Sequence, residues 1–121
     1  MLLVEDEDAV REIVRRVLER QGYHVLEASS GPRALTVAAT WARHIDLLLT
    51  DVIMPEMNGP QLAAQLVALR PGLRVLYASG YAADALGPTG LGTPDVALIQ
   101  KPFTPAELSR RVREALDSPA S

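Results

Sequence analysis

The chain has 121 residues, 48% hydrophobic and 22% charged, with a formal net charge of −3. That is enough for one globular domain with one core and too little for two, and the acidic balance points away from nucleic acid as a direct partner. The lack of cysteine excludes disulfides, thiolate metal sites and a cysteine nucleophile, and fits a reducing cytoplasm.

No apolar run approaches the ~20 residues of a membrane span, and the N-terminus turns acidic at Glu5, unlike a signal peptide. Residues 1–4 are a short apolar run that reads as a first strand. Glu5, Asp6, Glu7 and Asp8 follow at once. Val10, Ile13, Val14, Val17 and Leu18 then repeat at helical spacing, with Arg11, Arg15, Arg16, Glu19 and Arg20 on the other face and Gly22 as the stop. Acids before a helix cap it and oppose its dipole, but four in succession repel one another, so capping explains only part of the run.

Residues 23–28 read as a second strand. Ser30-Gly31-Pro32 starts a helix with a capping serine and an early proline, running to about Arg43 with Leu35, Ala38, Trp41 and Ala42 inward. His24 and His44 show no metal-type spacing and read as ordinary residues. Residues 45–50 form a buried third strand. Leu47, Leu48 and Leu49 stand in a row without polar alternation, as in a parallel sheet covered on both faces. The strand ends on Asp51. A carboxylate there lies where open α/β sheets bind ligands, although an Asp before a Pro-Gly loop can also be a simple turn former.

Asn58-Gly59-Pro60 caps a third helix with Leu62, Leu66 and Leu69 as its stripe, stopped by Pro71-Gly72. Residues 74–78 form the fourth strand, ending at Ser79. Residues 82–94 are rich in glycine and proline and favour at most one or two helical turns before a loop. Residues 95–100 form the fifth strand, ending at Lys101, the only lysine in the chain. Thr104 and Glu107 make a capping box around Pro105, and Leu108, Val112, Ala115 and Leu116 line the last helix. Alternating strands and helices predict an α/β fold. Its expected form is flavodoxin-like and doubly wound, a five-stranded parallel sheet in order 2-1-3-4-5 with helices on both faces. The helix between strands four and five is expected to be short or irregular. Residues 1–117 should form the domain and 118–121 a disordered tail.

In that order Glu5, Asp6, Asp51, Ser79 and Lys101 all fall on one edge of the sheet. Clustered carboxylates repel unless a cation joins them or some take up protons. Only oxygen ligands are on offer, which suits Mg²⁺. Asp51 would keep an oxygen for nucleophilic attack on phosphorus, and Lys101 and Ser79 would hold phosphoryl oxygens. A lone lysine in a chain of arginines fits this use, because an ammonium is a compact point charge.

Leu2-Leu-Val-Glu-Asp6, Asp51-Val-Ile-Met-Pro-Glu-Met-Asn-Gly59, Ala78-Ser-Gly80 and Lys101-Pro-Phe-Thr104 together resemble the receiver domains of bacterial two-component response regulators. The resemblance spans essentially the whole chain. The wording of residues 76–81 and 98–103 is most similar to receivers fused to sensor histidine kinases. It implies a cytoplasmic phosphoacceptor rather than an enzyme with an outside substrate. Asp51 would accept phosphoryl from a histidine of a sensor kinase or histidine phosphotransfer domain, possibly in the same polypeptide. Mg²⁺ would be held by Glu5, Asp6, Asp51 and the Ile53 backbone carbonyl, with Ser79 and Lys101 on the phosphoryl group and a Lys101-Pro102 bond that is often cis. Phosphorylation would draw Ser79 inward and move the loop after strand four.

Two features depart from the pattern. Leu98 stands where family members usually carry an aromatic switch residue, and the region after strand four is rich in glycine and proline. Strand one also begins at Met1 with nothing before it, which suggests a domain cut from a longer chain. Two other readings compete. A haloacid-dehalogenase-type phosphatase would want a second Asp where Ile53 stands. A receiver-like interaction module that never takes phosphate is opposed by the acidic trio, Ser79 and Lys101.

Overall fold

The computed structural model describes residues 1–79 and 97–117. Its elements are β1 (Leu2–Val4), α1 (Asp8–Arg20), β2 (Leu26–Ala28), α2 (Gly31–Thr40), β3 (Leu47–Asp51), α3 (Gly59–Leu69), β4 (Arg74–Ser79), β5 (Leu98–Gln100) and α4 (Pro105–Asp117). The strands form one parallel sheet in the order β2-β1-β3-β4-β5, as expected.

Period-two alternation divides the core between the two faces. Leu2, Val4 and Leu48 pack with Ala34 and Ala38 of α2 and with Leu62 and Leu66 of α3. Leu3, Leu47 and Leu49 pack with Val14 and Leu18 of α1 and with Leu108 and Val112 of α4. The three leucines of β3 thus serve both layers, which is why the strand carries no polar alternation.

Several boundaries differ from the sequence reading. β2 starts at Leu26 because residues 21–23 finish α1: Gly22 takes φ of 92°, its amide donates to Glu19, and the Tyr23 amide donates to Leu18. α2 stops at Thr40, so Ala42 is exposed rather than inward. The Arg70 guanidinium reaches the carbonyls of Ala38, Trp41 and Arg43 from the end of α3 and completes that terminus. Trp41 stacks on His24 at 5.4 Å between ring centroids, a packing role as expected. Ile13 and Leu69 do not join the core; they are 63% and 61% exposed. The expected helix between β4 and β5 and the tail at 118–121 lie outside the described residues.

Candidate functional site

The carboxyl ends of β1, β3, β4 and β5 meet on one edge of the sheet, and β1 delivers two groups there while each of the others delivers one. Glu5 and Asp6 follow β1, Asp51 ends β3, Ser79 ends β4 and Lys101 follows β5. In register, Asp51 lies beside Ala78, and the Lys101 amide donates to the Ser79 carbonyl at 2.7 Å. Ser79 is buried. The Lys101-Pro102 peptide is cis, as the resemblance implied.

The acidic run divides between two tasks. Glu5 and Asp6 face the site, while Glu7 sits at the helix cap position and Asp8 pairs with Arg11 at 2.7 Å in the first turn. Carboxylate oxygens of Glu5, Asp6 and Asp51 all lie within 4.8 Å of one another. Glu5 and Asp51 are 3% and 6% exposed, whereas Asp6 opens to solvent. The Lys101 ammonium bridges the buried pair, 2.6 Å from Glu5 Oε1 and 2.6 Å from Asp51 Oδ1.

This crowding drives the ionisation apart. Burial, followed by the Glu5 carboxylate, pushes Asp51 up to about 8, with Lys101 opposing. Burial alone would raise Glu5, but hydrogen bonds from Asp51 and Lys101 outweigh it and hold Glu5 down at about 2. Asp6 is raised by burial and then by Glu5. Burial would lower Lys101, yet its bonds to Asp51 and Glu5 raise it. Two buried carboxylates and a third at the rim share one ammonium, leaving excess negative charge for a cation or a proton to balance. An all-oxygen donor set of this kind fits Mg²⁺.

Two contacts escaped the sequence reading. Arg11, expected on the solvated face of α1, donates to the Glu5 carbonyl at 2.9 Å and lies 3.5 Å from Glu27. Gly59, read as part of a helix cap, is pressed against the Asp51 backbone. The Asn58–Gln61 capping box signals the helix start but not this closeness. Ile53 has an exposed side chain in the loop just past Asp51.

Fold and site together define a class: a doubly wound domain with a carboxylate-and-lysine centre at its switch point. The family described as response regulator receiver domain matches residues 1–113. The chain is 39% identical over 117 residues to the sensor kinase CckA of Brucella abortus, covering 97% of this chain and 12% of that protein. It is 34% identical to the response regulator receiver protein CpdR of the same organism, covering 96% of this chain and 95% of that one. The solved receiver domain of hybrid histidine kinase CckA is similar with a TM-score of 0.80 at 39% identity, covering 96% of this chain and 97% of that one. A CheY-like receiver from Methanospirillum hungatei JF-1 also gives a TM-score of 0.80, at 30% identity, with 96% and 91% covered. The chain belongs to the response regulator receiver domain family, the signalling modules of two-component systems. Its site is consistent with a phosphoacceptor role. Among the described residues no helix is long and apolar enough to cross a membrane.

Proposed function

We propose that Asp51 takes a phosphoryl group from a phosphohistidine of a sensor kinase or histidine phosphotransfer domain. The observation that carries this is the meeting of Glu5, Asp6 and Asp51 within 4.8 Å, with Lys101 at 2.6 Å from two of them. An Asp51 carboxylate oxygen attacks phosphorus, the phosphorus–nitrogen bond breaks, and the electron pair returns to the imidazole. Glu5, Asp6, Asp51 and the Ile53 carbonyl would hold Mg²⁺. When bound, the ion neutralises charge on the carboxylates and the incoming phosphoryl oxygens.

Lys101 pairs with Asp51 and Glu5 before transfer and would turn its ammonium to a phosphoryl oxygen after it. The Ser79 hydroxyl, from the neighbouring strand end, would take another. The side chain of Ile53 offers no acid or base, which favours a held phosphoryl group over turnover of an outside substrate. Similarity to a sensor kinase and to a receiver protein of this chain's length supports a cytoplasmic histidine-kinase partner, in the same polypeptide or another.

The test is incubation with Mg²⁺ and a small phosphodonor, followed by intact-mass and peptide analysis. One phosphoryl group should be gained at Asp51, and none in Asp51→Asn. No gain, or an equal gain in the variant, would count against the reading.

A further inference from the structure

The loop after Asp51 is held at two places. At its root, the Val52 amide donates to Ala78 of β4 at 3.0 Å, and the Val52 carbonyl accepts from the Gly59 amide at 2.8 Å. At its tip, Glu56 has φ of 70° and the Met57 amide donates to the Pro55 carbonyl at 2.7 Å. A non-glycine residue at the centre of such a γ-turn is strained and persists only where its surroundings hold it.

The Met57 side chain is the anchor that follows this turn directly in the chain. It is half-buried, packs against the core layer shared by α2 and α3, and lies against Gly31, the first residue of α2. A β-carbon at position 31 would fall 2.9 Å from both Cβ and Sδ of Met57 and 3.1 Å from its Cγ. The overlap with Sδ could be relieved by a rotamer change. The overlap with Cβ could not, because the loop backbone fixes that atom. From the other side, Gln65 Nε2 of α3 stands 3.9 Å from Sδ. Ile53 lies between the root and the tip.

We propose that Met57, seated in the notch left by Gly31, is a positioning residue for the phosphoryl site: it sets the loop between Asp51 and α3, and with it the affinity for the divalent cation. The proposal rests on the phosphoacceptor reading and on the Ile53 carbonyl as a ligand. Groups that orient ligands without touching the metal change its affinity by roughly 10- to 100-fold when altered.

The experiment compares Gly31→Ala, Met57→Ala, the double variant and Met57→Leu in the full chain. It measures Mg²⁺ affinity by calorimetry, phosphorylation at saturating Mg²⁺, and urea stability. Each single alanine variant should weaken Mg²⁺ binding roughly tenfold. In the double variant the new methyl at 31 fills space that Met57 vacates, and part of the affinity should return. Met57→Leu keeps the knob and should stay near wild type. A wild type that binds Mg²⁺ with every variant matching it overturns this proposal alone. Affinity losses that simply add in the double variant, in step with lost stability, also overturn it. A wild type that binds no Mg²⁺ overturns both readings.

Discussion

Gly59, the first residue of α3, rests on the carbonyl oxygen of Asp51 with no room between them for a β-carbon. A methyl at 59 would overlap that oxygen and lie 3.1 Å from the Asp51 carbonyl carbon and 3.2 Å from the Val52 Cα. These are backbone atoms at the end of β3, so they cannot step aside without moving the site. Gly59→Ala should cost ~1–3 kcal/mol in urea unfolding with little change in slope. Phosphodonor uptake should fall even where the variant is fully folded.

Asp51→Asn should stabilise the metal-free protein at alkaline pH. Asp51 is pushed up to about 8, so the folded state binds its proton more tightly than the unfolded chain, where Asp titrates near ~4. Its favourable contribution is full below ~4 and is lost as pH rises through about 8. Asparagine carries no such loss. At pH 9 the variant should melt ~4 °C higher, or about 1 kcal/mol, and the gap should close toward pH 4. Added Mg²⁺ should reverse the order by stabilising the wild type more.

Glu5→Gln should act in the opposite sense. Glu5 is held at about 2, below its unfolded value, so its contribution is present above ~4.5 and lost as pH falls toward 2. The variant should melt below wild type at pH 7 and converge with it in acid. Thermal melts across pH 2–9 would check both carboxylates, and parallel curves for the two variants would contradict the opposed shifts.

The sheet order, both core layers and the placement of Glu5, Asp6, Asp51, Ser79 and Lys101 at strand ends on one edge could be read from the sequence. Each rests on a local rule: the unbroken Leu47-Leu48-Leu49 run, the capping pairs Asn58–Gln61 and Thr104–Glu107, and polar residues at strand ends. What could not be read depends on contacts distant in sequence. Arg70 closes the end of α2 from 27 to 32 residues away. Ile13 fits the helical stripe, yet it falls beyond what α4 and the sheet cover. The opposed ionisation of Glu5 and Asp51 needed carboxylates from two different strand ends to be buried in contact with each other.

Arg70→Ala should lower stability without touching the chemistry. Its guanidinium donates to Arg43 at 2.8 Å and to Ala38 at 2.9 Å, and also meets Trp41, carbonyls left open where α2 ends. Losing charge-assisted bonds to partly buried carbonyls costs ~1–3 kcal/mol. Urea unfolding should show that loss, while phosphorylation and Mg²⁺ affinity at 25 °C stay near wild type. Reduced Mg²⁺ affinity would mean that α2 reports to the site more strongly than the Met57 contact alone.

Lys101→Met separates the electrostatic and chemical roles of the lysine. Without the ammonium, Glu5 and Asp51 remain buried and face each other with no counter-charge, and breaking such a cluster costs several kcal/mol. Because Lys101 is partly open to solvent, the metal-free variant should lose a smaller ~2–3 kcal/mol at pH 9, above the range where wild-type Asp51 ionises. It should recover as falling pH protonates one carboxylate. Mg²⁺ can supply the missing positive charge, so the variant should gain more stability from Mg²⁺ than wild type does. It should still take phosphoryl poorly, because no ammonium remains to meet the incoming oxygens. Melts with and without Mg²⁺, beside intact-mass analysis after phosphodonor treatment, test the two parts independently. Restored phosphorylation together with restored stability would show that the lysine serves only to balance charge.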